Sequence, residues 1–296
     1  GGLDLAEVGG HALGGLRAGD LYILMARPSM GKSAMALQWA TDAIRIGGAK
    51  AVLFVSLEMT AETLADRVLL QQTGQSLIRR GSDPAHVRRQ VLDQLDDTLT
   101  QLQQWPLYIS ERRGLRAPDI AVLARRVAAE HGRLDLVVVD YLQLVRYSQA
   151  RGQTQASAVG DVCRQLRDLA GDLGCPMVVL SQLNRGVETR ENKRPVLSDL
   201  RDSGNIEEAA DVVVSLYREE YYLGNAMGDG DPRRGMAEVA ILKNRHGESG
   251  EVYVLRWIPE RQRFEEVSED EELAYIEAVW GAKSQGKQRG KGGKRA

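Results

Sequence analysis

The sequence predicts an α/β fold: a mostly parallel central sheet flanked by helices, with antiparallel strands at one edge. Three observations carry that expectation. Short, nearly continuous apolar runs alternate with segments of helical spacing, the pattern of strands covered on both faces by helices. The first run passes directly into Ala26-Arg27-Pro28-Ser29-Met30-Gly31-Lys32-Ser33 and then into a helical segment. A strand, a tight loop ending Gly-Lys-Ser and a helix start form a phosphate cradle, which makes this a P-loop fold. The last two apolar runs, 237–242 and 252–257, alternate and are flanked by turns, as an antiparallel pair would be.

Composition leaves room for this architecture. At 296 residues, with 43% hydrophobic and 27% charged residues, the chain has the balance of an ordinary globular protein able to bury a substantial core. No apolar run approaches the roughly 18–20 residues that span a bilayer, and no secretory signal is evident, so a cytoplasmic location is expected. Cys163 and Cys175 are too few for a disulfide framework or a zinc site. His11, His86, His131 and His246 lie far apart, without metal-ligand spacing. The net charge of −2 conceals an asymmetry, because Lys283, Lys287, Arg289, Lys291, Lys294 and Arg295 crowd into the last sixteen residues without an acid. Any nucleic-acid contact in the remainder must therefore be made by local loops.

Residues 1–20 read as a glycine-rich lead-in, 21–280 as one domain and 281–296 as a disordered basic tail. In order, Leu21-Tyr22-Ile23-Leu24-Met25 is a buried strand, and the helix after Lys32 stops at Gly47-Gly48. Residues 51–57 form the next buried strand. Residues 60–104 read as helical, with Thr60 as N-cap, Gly74 and Gly81 as breaks, and 85–104 as a surface helix. Leu107-Tyr108-Ile109 is a short strand, and Pro118 opens a helix reaching about His131. Residues 134–140 are the clearest buried strand. Residues 146–157 lack apolar period and read as a loop, followed by a helix to about Leu173 and the strand 177–181. A polar stretch, 184–203, precedes a short helix and the strand 211–216.

Polar residues end one expected strand after another: the phosphate loop, Glu58 after Ser56-Leu57, Asp140, and Ser181-Gln182. In an open α/β sheet, ligands bind at those carboxyl ends. Phosphoryl transfer to water then assigns roles. Ser29, Met30, Gly31, Lys32, Ser33 and Ala34 cradle a nucleoside triphosphate, with Lys32 as the point charge. Ser33 and Asp140 hold Mg²⁺, Glu58 orients or deprotonates the attacking water, and Gln182 reports the γ-phosphate. Lys243-Asn244-Arg245-His246-Gly247 reads as a polar loop after an apolar strand, leaving Lys243 and Arg245 as candidate cations for the developing charge.

The first glycine of the general pattern G-x-x-x-x-G-K-[ST] is Ala26 here, and residues 26–33 resemble the phosphate loop of bacterial replicative helicases of the DnaB family, in which alanine is common at that position. Phe54-Val55-Ser56-Leu57-Glu58-Met59 resembles that family's catalytic-glutamate segment. Val138-Val139-Asp140-Tyr141-Leu142-Gln143-Leu144 is similar to its Walker B segment, and Leu180-Ser181-Gln182-Leu183-Asn184-Arg185 to its sensor. Arg194-Pro195-Val196-Leu197-Ser198-Asp199-Leu200-Arg201-Asp202-Ser203-Gly204 resembles its DNA-binding loop, and Lys243-Asn244-Arg245 its finger pair.

The resemblance implies a RecA-like motor domain that uses ATP and Mg²⁺ and forms a homo-hexameric ring around single-stranded DNA. Lys243 and Arg245 would act on the neighbouring subunit's nucleotide. Arg201, Asp202 and Gly204 would touch the DNA backbone, with Arg146 and Arg151 as further channel candidates. Primase and a helicase loader are implied partners of the family. Its primase-binding helical domain would precede the phosphate loop, where only residues 1–25 stand here, so the chain reads as a fragment or a short member. The alternative is a RecA-like recombinase or recombination mediator, with a non-hydrolysing ring scaffold as a third reading.

Overall fold

The computed structural model describes residues 15–281 apart from 79, 80, 82, 150, 201 and 202. Most of the lead-in, the basic tail after Gly281, and Arg201 and Asp202 lie outside the described residues. Nine strands form one sheet: β1 (Leu21–Ala26), β2 (Val52–Ser56), β3 (Leu107–Ser110), β4 (Leu136–Asp140), β5 (Met177–Gln182), β6 (Val212–Tyr217), β7 (Met236–Asn244), β8 (Val252–Ile258) and β9 (Arg263–Glu266). Their order is β3-β2-β4-β5-β1-β6-β7-β8-β9. Neighbours from β3 to β6 pair in parallel, and β7, β8 and β9 add on antiparallel. The helices are α1 (Lys32–Arg45), α2 (Ala61–Thr73), α3 (Ala85–Gln103), α4 (Ala117–His131), α5 (Gln155–Leu173), α6 (Ser203–Ala209), α7 (Glu220–Leu223) and α8 (Glu269–Ile276). Among the described residues no helix is long and apolar enough to cross a membrane.

The continuous apolar runs have the expected cause. Alternate residues of β1 enter different cores: Leu21, Ile23 and Met25 pack with Ile120 and Ala124 of α4 and Cys163 and Leu166 of α5. Tyr22 and Leu24 pack with Met35 and Trp39 of α1 and Leu64 of α2. A strand buried on both faces has no polar side to show. The caps also follow local chemistry. Thr60 accepts a hydrogen bond from Thr63 N at 3.3 Å to start α2, and Gly74, at φ 76°, ends it.

Three boundaries differ from the sequence expectation. The antiparallel edge has three strands, because β9 (Arg-Phe-Glu-Glu) buries Phe264 alone and carries no apolar run to find. Lys243 and Asn244 belong to β7, paired with Val213 and Val212, so the polar loop starts only at Arg245. The loop expected over 146–157 ends at Thr154, whose hydroxyl accepts from Ser157 N at 3.2 Å and caps α5. Its start is pinned by Arg146 N donating to Leu115 O at 2.8 Å.

Candidate active site

The parallel strands β2, β4, β5 and β1 are consecutive in the sheet, so the polar residues at their ends share one edge. Ser56 is in register with Asp140, and Ala26 with Gln182. At this edge a cavity of about 490 Å³ is lined by Ser29, Gly31, Lys32, Ser33, Ala34, Glu58 and Gln182, together with Arg67, Trp257, Pro259 and Gln262. The cavity therefore gathers the candidate cradle, base and sensor.

Gly31 sits at the start of α1 with φ 101° and ψ 15°, and no side chain caps the helix. The first-turn N–H groups are thus left to an anion, reinforced by the positive end of the helix dipole. A side chain at Gly31 would be excluded twice, by that φ and by Phe264, whose Cζ lies 2.8 Å from where a Cβ would stand. Ser29 also has positive φ, at 67°, a local cost of order 1–3 kcal/mol that shapes the loop. Met30 can serve the cradle through its main chain. It is 1% exposed and packs into the α1 core, leaving only main chain for a ligand.

Lys32 is 9% exposed. Burial lowers its ammonium to about 8, against the opposing pull of Asp140 and Glu58. Its Nζ lies 4.9 Å from the Tyr141 ring centroid. Asp140 is 1% exposed, and neither carboxylate oxygen has a hydrogen-bond partner of regular geometry. Burial pushes its carboxyl up, opposed by the Ser33 hydroxyl and then the Lys32 cation. Two buried, hard oxygens without a regular partner, next to the Ser33 hydroxyl that lines the cavity, fit Mg²⁺, which takes one or two protein oxygens and leaves its other positions to water and substrate. Glu58, on the bend after β2, is exposed to the cavity.

The main chain at Gln182 is held by its neighbour: Gln143 accepts from Gln182 N at 3.2 Å and donates to Ser181 Oγ at 2.9 Å, while the Gln182 side chain meets the Tyr141 hydroxyl. The finger pair is not in this cavity. β7 runs antiparallel to β6, so its end lies at the opposite edge of the sheet, about 20 Å from the phosphate loop by strand rise. There Lys243 Nζ donates to Glu207 O and Ala210 O, at 2.6 and 2.7 Å, at the end of α6. Arg245 pairs with Asp211 at 3.0 Å. Asp20, Asp211 and His246 also converge at that edge, but Arg167 and Arg245 both bind Asp211 at 3.0 Å and put guanidinium charge where a metal would sit.

Of the DNA-loop candidates, Arg201 and Asp202 lie outside the described residues. Gly204 is in α6, with open space where a Cβ would project. Arg194, at the start of the same segment, is instead spent on Glu238 at 2.6 Å and Glu219 at 2.9 Å.

Sequence reasoning missed the wall built by the β8–β9 hairpin. Gln38 of α1 pairs with Phe264 through two 2.8 Å bonds, and Gln71 of α2 donates to Ala34 O at 3.0 Å and Gln262 O at 2.9 Å. The available signal was a pair of glutamines on otherwise apolar helix faces.

A family model for the DnaB-like helicase C terminal domain matches residues 7–266. The chain belongs to that family. DnaB-like sequences resemble it over most of its length: it is 38% identical over 260 residues to the replicative DNA helicase DnaB of Haemophilus influenzae, covering 87% of this chain and 53% of that protein. The counterpart from Pasteurella multocida is 39% identical over 267 residues, covering 88% and 54%. The chain spans about half the length of the curated relatives it matches. Among solved structures, an isolated ATPase domain aligns with a TM-score of 0.77 at 28% identity, covering 88% of each chain. A DnaB-like replicative helicase described with its interactions with primase aligns with a TM-score of 0.77 at 27% identity, covering 90% of this chain and 63% of that one. The fold is accordingly the RecA-like one of DnaB-like ATPase domains.

Proposed function

We propose that this chain is the ATP-driven motor of a replicative DNA helicase, hydrolysing ATP to move along single-stranded DNA and part the duplex at a fork. The observation that carries the reading is buried Asp140, its carboxylate next to Lys32 and Ser33, which both line the cavity together with Glu58. A phosphate-binding fold without a hydrolytic role has no use for that arrangement.

The chain's residues divide the work. The uncapped start of α1 and Lys32 bind the β/γ-phosphates, whose charge offsets the cost of keeping Lys32 cationic while buried. Ser33 and Asp140 would hold Mg²⁺, which supplies electrostatic stabilisation of the phosphates when bound. Glu58 accepts a proton from the attacking water or orients it. Gln182, whose main chain Gln143 holds, reads the γ-phosphate position. Lys243 and Arg245, at the far edge, serve a neighbouring subunit in a homo-hexamer, since their own loop is out of reach. Arg201, Asp202 and Gly204 contact the DNA backbone without reading bases.

As domains, 21–280 is the motor, 1–20 its lead-in and 281–296 a basic extension. The protein would work in the cytoplasm at the nucleoid, with primase and a helicase loader as partners of the whole assembly. A duplex with a single-stranded 5′ tail tests the reading. ATP-dependent unwinding is expected. Pairing of homologous strands without unwinding would assign a recombinase instead, and absence of DNA-stimulated ATP turnover would leave a scaffold.

A further inference from the structure

We propose that Arg27, acting through Glu188, is a positioning residue that couples the phosphate loop to the DNA-facing loop of the same subunit; the inference rests on the motor reading above. Arg27 is the second residue of the 26–33 loop, yet its side chain bonds to the segment after β5. Its Nε and Nη2 donate to Glu188 Oε1 at 2.9 and 2.5 Å, and its Nη1 donates to Leu183 O at 3.0 Å. The Arg27 side chain is 13% exposed. A guanidinium so withdrawn from water, with a carboxylate and a carbonyl as partners, makes charge-assisted bonds that fix position as well as energy.

What Arg27 grips is a closed unit. Glu188 lies in a 3₁₀ turn, Arg185–Thr189, which Asn184 starts by accepting from Gly186 N at 2.6 Å. The two ends of the segment are stitched together: Asn184 N donates to Asp199 O at 2.9 Å, and Leu183 bridges Leu200 antiparallel. Asp199 accepts from Val196 N at 2.8 Å and pairs with Arg190 at 2.6 Å. The residue after Leu200 is Arg201, the first of the candidate DNA contacts. Residues 183–200 are thus tied at their base, with Arg27 holding the corner next to the nucleotide. A shift of the phosphate loop on gaining or losing a polyphosphate is passed to that base, and DNA held at the base restrains the phosphate loop in return, as linkage requires.

The competing role for Arg27 is direct contact with a phosphate, and Glu188 separates the two. Glu188 is 45% exposed and lies outside the lining of the nucleotide cavity, so its truncation should leave the fold intact. ATP turnover of the full chain is measured with and without saturating oligothymidylate for the wild type, Glu188→Ala, Arg27→Ala and the double variant. Glu188→Ala is expected to keep DNA-free turnover within about two-fold while stimulation by DNA falls about five-fold or more, the lower end of typical coupling between sites. The double variant is expected to lose no more stimulation than Arg27→Ala alone, because both substitutions cut one connection. Full stimulation in Glu188→Ala, or losses that multiply in the double variant, would overturn the coupling while leaving the motor reading standing. Wild-type turnover that oligothymidylate fails to stimulate would remove the motor reading and this proposal together.

Discussion

Replacing Lys32 by methionine should stabilise the nucleotide-free protein while destroying its affinity for ATP. Lys32 is 9% exposed, and burial brings its ammonium from an ordinary value near 10.5 down to about 8. That depression corresponds to about 3 kcal/mol of preference for the neutral form over the charged one, at about 1.4 kcal/mol per tenfold. At pH 7 the side chain is nonetheless cationic, so the empty site carries this cost. Methionine removes the charge at similar volume, and the depression already includes the opposing pull of Asp140 and Glu58, so after some loss of packing a net gain of about 2 kcal/mol is expected. The sign with pH follows from linkage. Between pH 8 and 10.5 the unfolded chain holds a proton that the folded one has released, so wild-type stability should rise through that window, and the variant should lack the rise. Urea unfolding at pH 7 without nucleotide measures the gain directly. Mg-ATP at a hundred times its dissociation constant should then add about 2.7 kcal/mol to the wild type and nothing to the variant, reversing their order. A variant less stable than wild type in the empty state would refute the reasoning and make Lys32 a structural cation, held by Tyr141, Asp140 and Glu58.

Glu58→Gln should bind ATP normally but lose nearly all turnover, and Arg245→Ala should lose turnover by withdrawing a cation from its neighbour. Mixing the two should restore part of the activity, since some interfaces then join an intact base to an intact finger; no recovery at any ratio would rule out action between subunits. Gly31→Ala should cost about 2–4 kcal/mol in thermal or urea unfolding, from positive φ and from collision with Phe264. An unchanged midpoint would mean that the aromatic pair moves aside freely. Arg201→Ala should weaken single-strand binding alike for all sequences and reduce the salt slope by about one. A loss confined to one sequence would exclude a backbone contact.

What the sequence disclosed divides along a physical line. Elements whose signal is local were legible: the buried strands from their unbroken apolar runs, α2 from Thr60 and Gly74, and the phosphate loop from Gly31-Lys32-Ser33. The alignment of Glu58, Asp140 and Gln182 on one edge was legible too, because parallel strands share a carboxyl end. What escaped depends on partners distant in the chain. β9 pairs with β8 and is anchored to α1 by the Gln38–Phe264 bonds, and nothing in Arg-Phe-Glu-Glu announces it. The α8 start was missed although Ser268 and Glu271 form a capping box, a signal that was present. Lys243 was assigned to a loop because its polarity hid its place in β7, where the carbonyls ending α6 satisfy its ammonium. The Arg27–Glu188 pair spans 161 positions, and no spacing rule reaches that far.

Trp257 has a use beyond walling the cavity. Its ring reaches within 3.3 Å of where a Gly31 Cβ would stand, leans on Phe264 with centroids 4.6 Å apart, and lies under the Arg218 guanidinium. Indole emission responds to nearby charge and to water, and both change at this spot when a polyphosphate settles on the loop. Trp39 is buried within α1, Trp105 follows α3, and Trp280 packs against Tyr275. On the motor reading, Trp257 would be an intrinsic optical gauge of occupancy, by which nucleotide binding and release could be timed without attaching a dye.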